Sequence, residues 1–384
     1  MRDRGQRRRD WLAGAGALVV ASACERTQSP AAPAERSSAR PFERLATLSA
    51  GVGAPRQILV HEDGRALVVT SAGFALVERG HAEMHPLELR ASVVAARDAA
   101  GFVLGLTPYA WSGRAGEDFR TGGLLDGDGR RQLALAQVGG DWITIVQSGL
   151  REEEWIAVRR QPPRGPSRWA YQVPGKGAGA IASDGRVALA LWDGRVVLLG
   201  DRVGSERAPQ VLADARIDPW PYAIACADGG VSLLTAAPIL DHEDGGLRIA
   251  PLPDWTPGRA WTSTLVELGP DGRERWRVDL PFAGLQVLRR GDGSIVVAGM
   301  GAALVANGEL AWSRTDRDRV HAALASDDVV LAHGTTIEVV DASGRARTTA
   351  AIGEGPIACG PAVEPSGAIW VATANGVWRG GRGV

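Results

Sequence analysis

Residues 180–199 read AIASDGRVALALWDGRVVLL: an Ala-rich apolar run, an Asp-Gly turn, a Val/Leu run from Val187 to Leu191, a second Asp-Gly turn and a third apolar run. Asp and Gly accept the backbone angles of tight hairpins, and short Val/Leu-rich runs between such turns are strand signals, so this stretch predicts three antiparallel strands. The same outline recurs at Gln57–Val77 (QILVHEDGRALVVTSAGFALV), Ser92–Trp111, Gln132–Val158, Tyr222–Leu234, Leu285–Val305, Ala322–Val340 and Pro356–Trp378. The first turns fall near Asp63, Ala99, Gly139, Asp184, Asp228, Asp292, Asp327 and Ser366, spaced 35 to 45 residues apart except for an interval of 64 after Asp228. No segment carries the pattern of a long amphipathic helix.

A repeat of about 40–50 residues built only from short strands predicts a β-propeller, in which four-stranded meanders stand around an axis. The leading run of each unit is small: Ala95 and Ala96, Ala180 and Ala182, Ala223 and Ala225, Ala322, Ala323 and Ala325, and Ala358. Innermost strands crowd at the axis, where large side chains collide, and a sandwich has no such requirement. After Pro356 only three strands fit before Val384, and the run Glu43–Ala50 (ERLATLSA) has the alternation to supply a fourth. The reading is therefore all-β: a single β-propeller over residues 43–384, eight blades preferred, with the ring closed by an N-terminal strand. Seven blades is the alternative, because the second unit has a poorly marked outer strand.

Before the repeats, Arg2, Arg4, Arg7, Arg8 and Arg9 precede an apolar stretch from Trp11 to Val20, then Ala21, Ser22, Ala23 and Cys24. Ordered charge and apolarity of this kind predict a signal peptide over residues 1–23, and the apolar run is too short for a stable span of about 20 residues. The small residues before Cys24 resemble a bacterial lipobox, which implies lipid attachment at Cys24 and permanent membrane anchoring through several acyl chains. Arg8, Arg9, Trp11 and Leu12 also resemble a twin-arginine export signal. Glu25 in place of aspartate favours the outer over the inner membrane. Residues 24–42, with Pro30, Pro33 and many Ala, Ser and Arg, read as a flexible tether.

The ends of two units, LVELGPDGRERWRVDL (Leu265–Leu280) and ALVANGELAWSRTD (Ala303–Asp316), resemble the pyrroloquinoline-quinone-like propeller repeat. The resemblance implies that Trp276 and Trp312, with Trp169 in RWAYQV, dock each blade against its neighbour. The fourth, seventh and eighth units lack a Trp at that place. Quinone-dependent dehydrogenases of the family use a calcium-held quinone and often an adjacent cysteine pair, whereas here no two cysteines adjoin and no Cys-x-x-Cys-His occurs. The lipoprotein branch, such as the propeller lipoprotein of the outer-membrane β-barrel assembly machine, binds protein partners and catalyses nothing.

The remaining candidates for chemistry have plainer readings. Cys226 and Cys359 fall at equivalent places on innermost strands of different units, too far apart for a disulfide, and are expected as free, buried thiols. Of the six histidines, only His81 and His85 are four apart, and they are expected in an exposed loop rather than as zinc ligands. Asp241, His242, Glu243 and Asp244 lie in an insertion, Ala237–Arg259, that accounts for the long interval; they and Asp126 and Asp128 in LDGDGR read as solvated turns, because a calcium site needs six to eight oxygens. With 43 basic and 44 acidic residues the net charge is -1, so no overall field favours nucleic acid. The sequence thus predicts an exported, periplasmic, membrane-anchored lipoprotein without catalytic residues, metal or cofactor, which binds protein partners of the cell envelope, outer-membrane protein handling among its roles. The alternative is a quinoprotein-like or hydrolytic propeller enzyme using the channel mouth. Oligomeric state is not written in the sequence.

Overall fold

The computed structural model describes residues 42–49, 51, 53–86, 92–98, 101–107, 111–114, 130–148, 154–162, 166–200, 208–227, 230–236, 239–240, 247–248, 262–316 and 318–380. The predicted signal peptide, Cys24 and the tether up to residue 41 lie outside them, as do Asp126, Asp128 and Asp241–Asp244. Among the described residues the chain is strand and turn, with no α-helix.

Strand β1 (Glu43–Thr47) precedes a first sheet of β2 (Pro55–Val60), β3 (Ala66–Thr70), β4 (Gly73–Glu78) and β5 (His81–Pro86). The second sheet has β6 (Ser92–Asp98), β7 (Gly101–Thr107) and β8 (Trp111–Arg114) among the described residues; the third has β9 (Arg130–Val138), β10 (Asp141–Ser148), β11 (Trp155–Gln161) and β12 (Trp169–Pro174). The fourth comprises β13 (Gly177–Ile181), β14 (Val187–Leu191), β15 (Arg195–Gly200) and β16 (Gln210–Arg216). In the fifth, β17 (Trp220–Ala227) and β18 (Gly230–Ala236) are followed by a separate hairpin, β19 (Ile239–Leu240) and β20 (Leu247–Arg248), before β21 (Thr264–Leu268) and β22 (Glu274–Asp279) complete the sheet. The sixth is β23 (Gly284–Arg289), β24 (Ile295–Gly299), β25 (Gly301–Ala306) and β26 (Glu309–Thr315). The seventh is β27 (His321–Ala325), β28 (Asp328–His333), β29 (Thr336–Val340) and β30 (Ala346–Ala351). The last has β31 (Ile357–Val363), β32 (Ile369–Thr373) and β33 (Gly376–Gly380), and β1 pairs antiparallel with β33, setting Glu43 opposite Arg379 and Thr47 opposite Gly376.

Burial follows position within each sheet. The second strands ALVVT (β3), VALAL (β14), IVVAG (β24) and IWVAT (β32) are buried at every residue, because both faces of these strands meet neighbouring sheets. Outer strands such as β22 and β30 alternate between half-buried and exposed, one face to the next sheet and one to water.

The apolar core lies between sheets. One cluster joins Leu189 and Val197 of the fourth sheet to Ile143, Ile145 and Val158 of the third; another joins Leu198 to Leu233 and Val266 of the fifth. Others pair fifth with sixth through Leu234 and Val297, sixth with seventh through Leu304 and Leu331, seventh with last through Ile337 and Val371, and last with first through Trp370 and Val68. A final one pairs first with second through Phe74 and Phe102. The first strands touch in cyclic order, β2 to β6, β9, β13, β17, β23, β27, β31 and back to β2. No sheet could hide both faces alone; at roughly 1.5–3 kcal/mol per fully buried large aliphatic side chain, the shared clusters hold the sheets together. This is a β-propeller.

Close approach explains the small inner residues. A Cβ on Gly179 of β13 would stand 2.7 Å from Ile145 Cδ1 of the third sheet, and one on Gly284 of β23 would stand 2.9 Å from Leu234 Cδ1 of the fifth.

The Asp-Gly-Arg turns close on themselves. Asp63 Oδ1 accepts the Arg65 backbone N–H at 3.0 Å while Oδ2 accepts Arg65 Nε at 2.7 Å, and Asp184 with Arg186 repeats this at 3.0 and 2.6 Å. These bonds hold the Asp63 carboxyl well below the usual carboxylate range.

Two expectations are corrected. His81 and His85 are not in a loop but on β5, the outer strand of the first sheet, where the His85 ring stacks on Phe74 with centroids 4.6 Å apart. The alternation HAEMHP pairs with β4 and outweighs the flanking polarity that suggested a loop. Cys226 is half-buried rather than buried, since it stands near the end of β17 beside the turn to β18; Cys359 on β31 is buried, and neither forms a disulfide.

Candidate functional site

The polar groups that the fold brings together lie mainly at the junctions between sheets. At the fifth and sixth, Arg289, the last residue of β23, sends Nη1 to both oxygens of Glu267 at 2.7 Å and to Ser232 Oγ at 2.5 Å, while Ser232 Oγ donates to Glu267 Oε2 at 2.8 Å. Glu267 and Ser232 are buried, so this is an ion pair removed from water, with its acceptor oxygens bonded. At the other end of the same junction, the Tyr222 hydroxyl donates to the Gly284 carbonyl at 2.8 Å and lies 2.5 Å from Ser263 Oγ, which accepts the Gly284 N–H at 2.9 Å. Burial pushes the Tyr222 phenol above its ordinary range, so it acts as a neutral hydrogen-bonding post.

Gln286 on β23 pairs with the backbone of Ala322 on β27 as a strand residue would, donating Nε2 to the carbonyl and accepting the N–H at Oε1, both at 3.1 Å. Arg97 Nη1 donates to the Val60 carbonyl at 2.8 Å between the second and first sheets, and Arg290 Nη2 to the Asp327 carbonyl at 2.6 Å between the sixth and seventh. In the last sheet Glu364 accepts Trp370 Nε1 at 2.5 Å, Arg379 Nε and Nη2 at 2.9 and 3.0 Å, and Ser366 Oγ at 2.6 Å. Each of these groups is engaged in holding strands in place.

The tryptophans named from the sequence occupy two kinds of place. Trp276 on β22 lies under the turn of the next sheet, where a Cβ on Gly308 would be 2.9 Å from Trp276 Cγ. Trp312 on β26 lies likewise under Gly344 of the seventh sheet, at 2.7 Å from Cγ. At the corresponding contact between fourth and fifth sheets, Ala213 faces Gly272 at 2.6 Å. Trp169 opens β12 and is 4% exposed within the cluster shared by the third and fourth sheets.

Among nucleophiles, Cys359 is buried and its thiol is pushed up to about 12 by that burial, so it is unreactive at neutral pH. Burial lowers His321, at the start of β27, to about 4, leaving a neutral imidazole. Among the described residues no group of three or more His, Cys, Asp or Glu is placed to hold a metal ion. The sequence reading missed Arg289, Glu267, Gln286 and Glu364, whose partners lie on other strands or across a turn; a lone Gln in GLQVLR carries no motif.

No family model matches the chain, and no curated protein matches it. Among solved structures it is similar to that of streptogramin B lyase, with 10% identity, a TM-score of 0.47, and coverage of 88% of this chain and 96% of the other. It is also similar to BBS1N in its complex with ARL6DN, at 10% identity and a TM-score of 0.47 over 89% of this chain and 95% of that one. A third similarity is to the WD40 β-propeller domain of Doa1, at 10% identity and a TM-score of 0.46, covering 89% and 96%. From sheets that share their cores pairwise and inner strands that touch in a cycle, the chain is an all-β propeller.

Proposed function

We propose that this protein is a non-catalytic, membrane-anchored envelope lipoprotein whose propeller, a ring of eight blades with β1 as the outer strand of the last, binds a protein partner through the end of the ring that carries the excursion between β18 and β21. The observation that carries the reading is the course of the chain in the fifth sheet. Strand β18 is buried throughout and pairs directly with β21 from Val231–Leu268 to Thr235–Thr264, so residues 237–262 are an insertion at one end of that strand pair. They bear a hairpin of their own, Ile239 opposite Arg248 and Leu240 opposite Leu247. A long insertion between two strands that pair directly is a place where recognition resides. Anchoring through Cys24 and export to the periplasm, at the outer membrane, complete the proposal on the strength of the leader sequence.

The test is cross-linking in intact envelopes, comparing the full chain with a variant in which residues 237–262 are replaced by a two-residue Asn-Gly turn. A protein partner captured by the first and lost from the second, with thermal unfolding of the two alike, supports the reading. Recovery of a small ligand and no protein overturns it. Cys24→Ser should move the chain from the membrane to the soluble fraction, and failure to do so removes the anchor from the proposal.

A further inference from the structure

The junction between the sixth and seventh sheets carries four charged or titratable groups, Arg314 and Asp316 from the sixth side and His333 and Glu338 from one hairpin of the seventh. Arg314 on β26 is paired with Glu338 on β29. His333 ends β28 and stands between two carboxylates, Nδ1 at 3.1 Å from Asp316 Oδ2 in the crossover after β26 and Nε2 at 3.8 Å from Glu338 Oε1. Asp316 follows β26 directly, and in the stretch that leads on to β27 the Val320 N–H donates to the Gly299 carbonyl at 2.7 Å. His333 is the one group of the four whose charge changes near neutral pH.

We propose that His333 is an acid-tightened clasp between the sixth and seventh blades, gripping the 316–320 crossover when its imidazole is charged and loosening it when neutral. With His333 protonated, each of its ring nitrogens faces a carboxylate with a positive charge between them. With it neutral, Asp316 and Glu338 both lose that cation, and Arg314 is already committed to Glu338. Other groups near the imidazole do not reverse this. Asp318 Oδ2 lies against Gly334, next to His333, and adds to the attraction. On β27, His321 is neutral in the relevant range. The following connection approaches through Ile352 and Ile357, which are apolar and donate N–H groups to the carbonyls of Thr335 and Gly334.

Glu338 and then Asp316 raise the His333 pKa above its ordinary value against burial and Arg314, and His333 in turn helps hold Glu338 down at about 2. A raised histidine contributes stability that is fully present below its unfolded pKa of about 6.5 and is lost as pH climbs through the higher folded value. The junction should therefore be firmer at pH 6 than at pH 8. This inference is independent of the partner-binding reading, since it concerns the ring alone.

Titration of the histidine ring protons of the full chain by NMR, with the His333 signal assigned through His333→Gln, tests it. The expected result is a midpoint above about 6.5 for His333, moved down by Glu338→Gln. Hydrogen exchange of the Val320–Leu324 amides, corrected for intrinsic rate, should slow about 3- to 10-fold from pH 8 to pH 6 in the wild type, and that change should vanish in His333→Gln. A midpoint at or below about 6.5, or exchange that keeps its pH dependence in the variant, overturns the proposal. If His333→Gln does not fold, the downward move of one signal in Glu338→Gln still identifies His333, and absence of any such move counts against it.

Discussion

Adding one methyl group at Gly308 should expose how the fifth and sixth sheets lock together. Gly308 sits in the β25–β26 turn at φ +80°, and a Cβ built there would meet Trp276 Cγ at 2.9 Å, Cβ at 3.0 Å and Cδ1 at 3.3 Å. Two costs follow from Gly308→Ala. The left-handed backbone costs about 1–2 kcal/mol for any residue with a Cβ, and forcing carbon against an indole that cannot withdraw costs about 1–3 kcal/mol more. The protein contains its own control: Gly64 has φ +81° and nothing within 4 Å of its virtual Cβ, so Gly64→Ala carries the backbone cost alone. Urea unfolding of the two variants, compared at unchanged slope, should therefore separate them by about 1–3 kcal/mol, with Gly308→Ala the less stable. In a Trp276→Ala background the Gly308 penalty should shrink by about 1 kcal/mol or more, though not vanish, because Cβ of residue 276 remains. Equal destabilisation by Gly308→Ala and Gly64→Ala would falsify the claim that the indole is seated against that turn.

Arg289→Met should destabilise the fold by about 3–5 kcal/mol, because it leaves Glu267 buried without its counter-charge, whereas Arg289→Met combined with Glu267→Gln should recover part of that loss in the same unfolding assay. An Arg289→Met variant as stable as wild type would show the pair to be solvated. In the folded protein at pH 8 a thiol reagent should modify half-buried Cys226 but leave Cys359, held at about 12, untouched until denaturant is added. Rapid modification of both in the native state would mean that β31 is open to solvent.

The parts of the fold that could be read in the sequence are those whose signal is local. VALAL and IVVAG announce strands buried on both faces, and the Asp-Gly-Arg turns announce hairpins that the bonds of Asp63 and Asp184 then hold shut. Trp276 and Trp312 each follow a Gly-containing turn at a fixed distance on an outer strand, and each lies against a turn glycine of the next sheet. Trp169 starts its strand instead of standing within it, and its indole is buried between the third and fourth sheets. His81 and His85 were misplaced because HAEMHP lacks the apolar residues of a buried strand; the outer strand of a sheet needs few of them.

Of the candidate site, little was written locally. Glu267 and Arg289 are separated by a turn, a strand and a connection, and nothing in TLVEL or GLQVLR marks them as partners; Gln286 finds the backbone of Ala322, which any residue would supply. His333, Asp316 and Glu338 likewise meet only when the sixth and seventh sheets stack.

From its sequence alone this protein is a repeated all-β chain, because hairpin turns and strand periodicity depend on neighbours a few residues away. Which sheets share a core, which glycine receives an indole and which charges face one another depend on contacts between units tens of residues apart. Those were decided by the close packing of one sheet on the next, where a difference of a single methyl group determines what fits.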